Sequence, residues 1–403
     1  MRWKWFVTIG VLLIIALMAA GYVMLGNYGY NKLKPRVARM IKEVTGRELN
    51  LAGEIDLTIG FSPTLTVSDV AFANASWGSQ PQMIKIKQVE AQVRLLPLLF
   101  KDLELKRIGF VGVDVLLETD KTGRGNWDFS AEDSSAGKTR AFKLRNIDID
   151  KIRIEKLNLT FRDGETDLAK RLALASLEVA KQGAIDTLAL DLKADYNGQQ
   201  LTLAGKIGLI HFLLAHERFP FELAGKFSNA TVKINGAIND VLNLQGIDLQ
   251  ARVSGTNLAE LKLGIGSKLP RTNVFDLTGH LKGSKEALAL EDVNGKLSGS
   301  AVDLLISGSF GDLIALSGMN LHVKGSGKNL AEVGAIIDQK LPATDEFIVQ
   351  GRLTGSAKAL SLQAVQGSAR RGDLGLALDG GIKDLIYLKG IDLKVKGSGK
   401  NLA

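Results

Sequence analysis

Apolar and polar residues alternate along most of the chain. Leu49 and Leu51 begin the pattern, and Ile55, Leu57 and Ile59 continue it with polar residues between them. A period of two is typical of strands that bury one face and expose the other. The pattern therefore predicts a mainly β protein built from antiparallel strands.

The same alternation recurs further along the chain. The dipeptide Asn197-Gly198 separates two alternating runs, which predicts a tight β-hairpin there. The later apolar positions that define the predicted buried face are Val89, Val93, Val113, Val115, Ile152, Ile154, Leu157, Leu159, Phe161, Leu190, Leu192, Leu249, Val253, Leu321 and Val323. Two segments break the pattern: 130–140 is polar and predicts a mobile loop, and 210–216 predicts a helical turn.

The first 30 residues have a different pattern. Trp5 to Leu25 is an uncharged run of 21 residues. As a helix it would extend about 31 Å, which matches the hydrocarbon core of a bilayer. A cleavable signal peptide is the alternative, since Ala19-Ala20-Gly21 offers small residues for cleavage. The run is long for a signal peptide, so we predict a transmembrane anchor with its flanks over residues 1–30.

The charges beside this segment give conflicting indications of its orientation. Arg2 and Lys4 favour a cytoplasmic N-terminus, whereas the basic residues after the segment favour the opposite orientation. A long C-terminal domain is exported largely regardless of such charges. We therefore expect a cytoplasmic N-terminus and an exported β portion.

A short amphipathic helix is predicted between the anchor and the strands, in residues 31–46. Val37, Met40, Ile41 and Val44 follow helical spacing on one face. This face could cap the first strands, or the helix could rest on anionic headgroups. The candidate headgroup contacts are Lys32, Lys34, Arg36, Arg39 and Lys42.

An internal repeat occupies the second half of the chain. Gly246, Gly318 and Gly390 each open a similar run, and they are spaced by 72 residues both times. A fixed period with strand alternation inside it predicts stacked β-units. We therefore divide the exported portion into residues 47–235 and a repeat region over 236–403. Because the third copy stops at Ala403, we expect the intact protein to be longer.

Composition offers little support for catalysis. The chain has no Cys, and its four His residues lack metal-ligand spacing. Gly325-Ser326-Gly327-Lys328 lacks the first Gly and the final Ser or Thr of a phosphate-binding loop. The net charge of +8 is concentrated near the N-terminus, and no basic stretch is interleaved with aromatic residues. We therefore expect no catalytic residues, no cofactor or metal, and no nucleic-acid partner.

Several short motifs resemble the N-terminal region of the AsmA family of bacterial envelope proteins. Residues 1–130 carry the resemblance closely and the rest of the chain loosely. The matching segments are Gly46-Arg47, Gly53-Glu54-Ile55-Asp56-Leu57, Ser68-Asp69-Val70, Asn74-Ala75-Ser76-Trp77-Gly78, Leu96-Pro97-Leu98-Leu99 and Gly125-Asn126-Trp127.

This resemblance implies an inner-membrane protein with a periplasmic domain. Its strands would coil into an elongated, curved, open groove that carries phospholipid or another acyl-chain lipid toward the outer membrane and supports outer-membrane assembly. The alternation alone leaves open whether the apolar face lines such a groove or closes on itself as a core. The resemblance favours the groove, with the apolar positions named above as its lining. The alternative function is that of a structural or chaperone-like partner of outer-membrane assembly proteins.

Overall fold

The structure is a computed structural model, and it is mainly β. The residues that it describes are 34–58, 62–94, 103–129, 147–166, 169–183, 187–261, 271–336 and 340–399. The predicted anchor, the loop at 130–140, Lys32 and Ile59 lie outside these residues. Within the described ranges, every helix is too short or too polar to cross a membrane.

The chain forms two compact units. Unit 1 comprises Met1–Phe219 and Asp240–Asn243, and unit 2 comprises Pro220–Asn239 and Leu244–Ala403. The main change of unit lies between Phe219 and Pro220, whereas the repeat places the predicted division between residues 235 and 236, so that division stays a prediction.

The described residues of unit 1 form two helices and ten strands. The helices are α1 (Lys34–Thr45) and α2 (Ile210–Ala215). The strands are β1 (Leu49–Leu51), β2 (Ile55–Thr58), β3 (Thr64–Ala73), β4 (Gln82–Val93), β5 (Leu103–Glu118), β6 (Ile147–Ile149), β7 (Lys151–Arg162), β8 (Ala169–Lys181), β9 (Leu188–Tyr196) and β10 (Gln199–Ile207). Both β1 and β2 pair with β3, and the sheet then continues through β4, β5, β7, β8 and β9 to β10. Among the described pairings, none joins β10 back to β1 or β2, so this sheet is open.

Two strand pairs in unit 1 differ from the antiparallel prediction. β5 pairs in parallel with β7 and, through three residues, with β6. The long connection between β5 and β6 returns the chain to the same end of the sheet, which parallel pairing requires. The other described strand pairs are antiparallel.

Helix α1 covers the first strands of unit 1. Val37 and Ile41 are 3% and 0% exposed and lie in the core beside Leu49 and Leu51. Arg36 and Arg39 are exposed on the other side of the helix. The apolar face of α1 therefore caps the strands, as the first of the two interpretations held.

A line of irregular positions crosses unit 1. Asp69, Gly112 and Lys156 have positive φ angles of 52°, 65° and 53°, and each is skipped in the strand register. Lys87 in β4 and Ala175 in β8 also have no partner in the register, and they lie beside these positions in the neighbouring strands. Because each affected strand gains one residue, the apolar side chains before and after this line stay on one face. This explains why Ile152 and Ile154 are followed by Leu157 and Leu159, with a spacing of three in between.

In the part of unit 2 that the structure describes, there are eleven strands and two short helices. The strands are β11 (Phe219–Phe227), β12 (Ala230–Asp240), β13 (Gln245–Gly255), β14 (Val274–Ser284), β15 (Leu288–Ser298), β16 (Asp303–Asp312), β17 (Ser317–Gly327), β18 (Glu346–Ser356), β19 (Ala359–Arg371), β20 (Leu374–Asp384) and β21 (Lys389–Ser398); Phe219 and Asp240, at the ends of β11 and β12, are assigned to unit 1. From β13 to β21, each strand pairs antiparallel with the next. The helices are a 3-10 turn, η1 (Leu258–Glu260), and α3 (Leu330–Ile336).

Backbone conformations in unit 2 recur every 72 residues. Gly236, Gly308 and Gly380 have φ angles of 138°, 138° and 145°. The leucines at 244, 316 and 388 have φ angles of 52°, 47° and 50°, although leucine rarely adopts a positive φ. The strands β13, β17 and β21 begin at this same spacing.

The two short helices of unit 2 were not predicted. Asn257 precedes η1, and its side chain accepts a hydrogen bond from the Ala259 amide at 3.2 Å. Asn329 precedes α3 and accepts one from the Ala331 amide at 3.1 Å. An Asn followed three residues later by Glu is a helix-start pattern, and it is present in both copies.

Candidate functional site

Three rows of apolar side chains cross the sheet of unit 1 at right angles to its strands. Each row joins residues that face one another in the strand register, so its members lie on one face of the sheet. The first row is Ile55, Val67, Val89, Phe110, Ile154, Leu177, Leu192 and Leu203. The second is Leu57, Leu65, Ala91, Ile108, Ile152, Val179, Leu190 and Gly205. The third is Leu51, Val70, Ile86, Val113, Leu157, Leu174, Ala194 and Leu201. We call this surface the apolar face of unit 1.

Nine members of this face are among the lining residues predicted from the sequence, and the others are not. Leu203 belongs to a predicted alternating run but not to the predicted lining, and Val67, Phe110 and Leu177 were missed. They follow the same alternation in their own strands, so the pattern contained them. Only the register, however, shows that they form continuous rows.

One end of the apolar face is filled by the protein itself. A core cluster joins α1 to β1–β5 and adds Trp127 and Phe129 from the segment after β5. The predicted lining residues that belong to or pack against this cluster are Ile55, Leu57, Val89, Val115, Leu159 and Phe161. The side chains at these six positions form a packed core. They contact other parts of the protein and do not line an open groove.

A second cluster covers part of the middle of the face. Leu105, Ile108 and Ile149 are buried there, and Val93 and Ile152 pack against them. Ile210, the first residue of α2, also packs against this cluster. This short helix therefore shields the β5–β7 region on one side.

The other end of the apolar face is only partly covered. Leu177 in β8, Leu192 in β9 and Leu203 in β10 are half-buried, as are Ile154 and Leu157 in β7. These side chains belong to neither of the two clusters described above. The face thus changes from a filled core under α1 to a half-exposed aliphatic surface on β7–β10.

The four predicted lining residues of unit 2 lie on the apolar face of its own sheet. Leu249 faces Leu281 across β13 and β14, and Val323 faces Ile306 across β16 and β17. Val253 packs against a core cluster that contains Phe275 and Leu297. Leu321 is buried, whereas Leu249, Val253 and Val323 are half-buried.

The motifs shared with the envelope family build a buried polar network in unit 1. Glu118 is 3% exposed and accepts hydrogen bonds from Asn74 Nδ2 at 2.6 Å and from the Ser79 amide at 2.9 Å. Asn126 is fully buried and donates to Asn74 Oδ1 and to the Leu116 carbonyl, both at 2.9 Å. This network holds the segment with Trp127 and Phe129 against the core, so these motif residues have a structural role.

The opposite face of each sheet is polar and carries cross-strand ion pairs. In unit 1, Lys151 pairs with Glu178 at 2.6 Å, and Asn158 donates to Asp114 at 2.8 Å.

The described part of the chain contains no group of three or more His, Asp or Glu that could hold a metal ion. His216 and His280 each contact one aspartate, Asp240 and Asp248 respectively.

The basic residues of α1 point away from the core. Arg36, Arg39 and Lys42 are exposed, and Lys34 is half-buried. Lys42 forms an exposed ion pair with Glu48 at 3.0 Å. The exposed arginines thus form a basic surface near residue 34, where the described chain begins.

Comparison with known proteins agrees with the motifs. The AsmA family protein YhjG of Escherichia coli (strain K12) is 27% identical to the chain over 297 residues. That alignment covers 66% of this chain and 43% of the relative, so the chain spans less than half of the relative's length. No solved structure is significantly similar to the chain. The sequence profile of the AsmA family matches residues 2–371, and the chain therefore belongs to the AsmA family.

Proposed function

We propose that this protein is an anchored envelope protein whose apolar face holds the acyl chains of phospholipid or a similar lipid. In this proposal the N-terminal segment fixes the protein in the inner membrane, and the β portion lies in the periplasm. The lipid would be carried or held between the inner and outer membranes, and outer-membrane integrity would depend on it.

The continuity of the first apolar row is the observation that carries this proposal. The row crosses eight strands, from Ile55 in β2 to Leu203 in β10. With strands about 4.8 Å apart, it is about 34 Å long. A bilayer core of about 30 Å contains two layers of acyl chains, so one tail is about 15 Å long. The part of the row on β7–β10 crosses three strand spacings and is about 14 Å long. The half-exposed part on β7–β10 is the region available to a ligand.

The chemistry of this region suits an acyl chain. Its side chains are mostly Leu and Ile, which offer apolar contact without polar groups that would need partners. Each methylene of a tail that leaves water contributes about 0.8 kcal/mol. Successive strands present similar side chains, so a tail would meet a similar surface at each step along the row.

The basic residues of α1 would complement a lipid headgroup. Arg36 and Arg39 are exposed beside the segment that contains the predicted anchor. Cations near a membrane surface are attracted to anionic lipids by about 1 kcal/mol each. We therefore propose that Lys32, Lys34, Arg36, Arg39 and Lys42 contact headgroups where lipid enters.

A matched pair of variants tests this proposal. Leu192→Glu places a charge on the half-exposed apolar face, and Lys193→Glu changes the next residue, which is exposed on the polar face. Purified full-length protein would be loaded with a fluorescent phospholipid. We expect loading to be lost in Leu192→Glu and retained in Lys193→Glu. Equal loading of both variants would rule out the apolar face as the lipid site.

The filled core under α1 supports a second candidate function. Because Ile55 and Val89 pack against protein there, the sheet could serve as a scaffold for outer-membrane assembly proteins instead of a lipid path. In that case a client strand would pair with an exposed sheet edge. The protein would then bind clients equally well with Leu or Glu at residue 192.

A further inference from the structure

A large cavity lies against the sheet of unit 2. Its charged and polar lining residues are on the polar face, and Ile306 and Val323 of the intervening apolar positions also line it. Its volume is about 910 Å³, and residues from β13 to β19 line it. The lipid proposal uses the apolar faces and gives this cavity no role.

The strand register shows how the cavity is built. Lys296 in β15, Leu305 in β16 and Lys324 in β17 face one another across three strands. In the neighbouring row, His322 in β17 faces Arg352 in β18. The two lysines therefore flank Leu305, whose side chain is 49% exposed. At about 4.8 Å between strands, the two lysine positions are about 10 Å apart.

The cations of this cavity are poorly neutralised by the protein. Arg252 forms an ion pair with Asp276, and the hydrogen bond from Arg252 lowers the pKa of Asp276, which therefore stays ionised. Among the described lining residues, Asp276 is the only acidic one. Within the described residues, no carboxylate forms an ion pair with Lys296 or Lys324. Arg352 donates to the neutral Asn320 side chain at 2.7 Å.

The remaining lining supplies neutral hydrogen-bonding groups. Thr278, Asn294, Ser307, Gln350 and Gln366 all line the cavity. Amide and hydroxyl side chains can donate to and accept from the hydroxyl groups of a ligand. Cationic side chains form their strongest hydrogen bonds with carboxylate or phosphate oxygens. The lining thus combines anion-binding and hydroxyl-binding groups in one cavity.

Like charges on one face also need an explanation. Lys296, Lys324 and Arg352 repel one another, and opposite charges across strands would be the stabilising choice. Asp276 faces Lys296 in the register, but it is paired with Arg252, and Lys324 faces the neutral Gln350. Elsewhere in the same sheet that choice is made, since Lys282 pairs with Glu291 at 2.8 Å. A bound anion would remove the repulsion in the cavity.

We propose that this cavity binds a phosphorylated sugar or polyol, with Lys296, Lys324 and Arg352 on the phosphate and the neutral side chains on the hydroxyl groups. Such a group exists both as a lipid headgroup and as a free molecule. The site does not depend on the apolar faces, so it can be tested separately from lipid-tail binding.

The experiment compares two double variants of the full-length protein. Lys296→Gln with Lys324→Gln removes two cavity cations. Lys233→Gln with Lys383→Gln removes two exposed lysines that do not line the cavity, so both variants have the same net charge. The first probe is glucose bisphosphate, and the second is a short-chain phosphatidylglycerol below its micelle concentration. A short-chain diacylglycerol, which has the tails but no phosphate, reports binding through the tails alone.

The cavity variant should bind one or both phosphate probes about tenfold more weakly or worse, because two charge-assisted contacts are lost. The control variant should bind them like the unmodified protein, and diacylglycerol binding should be equal in all three proteins. A loss for glucose bisphosphate assigns the site to free sugar phosphates as well, whereas a loss for phosphatidylglycerol alone assigns it to headgroups. The proposal is overturned if neither probe binds, or if both variants bind with the same affinity.

Discussion

Gly112 of β5 and Lys156 of β7 occupy matching positions in the parallel strand pair, and both have left-handed backbone conformations. Each is skipped in the register, between Val111 and Val113 in one strand and between Glu155 and Leu157 in the other. Without these extra residues, the apolar positions on the two sides of the line would face opposite sides of the sheet. The continuity of the apolar face therefore depends on this shared irregularity.

Substitution at these two positions should have unequal effects on stability. Gly112→Ala adds a side chain at a φ of 65° and brings its Cβ to within 2.7 Å of the Lys87 side chain. We expect it to lower the free energy of unfolding by about 1–2 kcal/mol. Glycine adopts a positive φ without strain, so Lys156→Gly should lower the free energy of unfolding by less than about 0.5 kcal/mol. Urea titration followed by the fluorescence of buried Trp127 measures both, and equal losses in the two variants would contradict the role given to this line.

The buried amide of Asn126 should be critical for unit 1. Its side chain forms hydrogen bonds with Asn74, Leu116 and the Glu118 amide. Asn126→Ala leaves several buried groups without partners, so we expect a loss of about 3 kcal/mol or more. Asn158→Ala is the control, because Asn158 is exposed and donates one hydrogen bond to Asp114. It should cost less than about 0.5 kcal/mol by the same titration. A similar cost for both would show that the network is not coupled to folding.

The recurring glycine of unit 2 should tolerate no side chain. A Cβ on Gly308 would lie 2.1 Å from the Asn320 carbonyl oxygen, and the φ of this residue is 138°. Gly308→Ala should therefore destabilise the β16–β17 pair by about 2 kcal/mol or more. Gly367→Ala is the matched control, since its nearest contact would be an ordinary 3.4 Å. Hydrogen exchange of the β16 and β17 amides reports the local stability. If the β16 and β17 amides exchange equally slowly in Gly308→Ala and in the unmodified protein, then residue 308 does not require glycine.

The loop before Gly125 contains a carboxylate with a strongly lowered pKa. Hydrogen bonds, the largest from the Thr122 hydroxyl, lower the pKa of Asp120 from 3.8 to about 2. A lowered pKa means that the folded state favours the ionised form, so the resulting stability is present above pH 3.8 and is lost as the pH falls toward about 2. Thr122→Ala should shift the pKa of Asp120 upward, toward its ordinary value. An NMR titration measures this, and an unchanged pKa in the variant would refute the assigned cause.

Much of the fold follows from the sequence because strand alternation is local. The alternating runs around Ile55, Val113 and Leu190 are all strands of the structure, and the amphipathic pattern of residues 31–46 is helix α1. The short helix at 210–216 was also predicted and is α2. In each of these cases, the periodicity of a few residues determines both the element and the face that it buries.

The remaining features depend on contacts between distant segments. Nothing local to β5 or β7 indicates that these strands pair in parallel, because the partner lies beyond a long connection. The spacing of three between Ile154 and Leu157 is visible in the sequence. Only the strand register shows that the neighbouring strands contain an extra residue at the matching position. The same limit applies to the candidate site, since the alternation identified the apolar face but not which part of it α1 fills.

The central claim is that the half-exposed end of the apolar face contacts lipid. A photoreactive amino acid at Leu203, on this face of β10, tests it most directly, with the exposed neighbour Ala204 on the opposite face as the control. Full-length protein in its native membrane would be irradiated, and the products would be analysed by mass spectrometry. The account predicts covalent phospholipid adducts at position 203 and none at 204. Adducts to protein alone at position 203, or lipid adducts of equal yield at both positions, would contradict it.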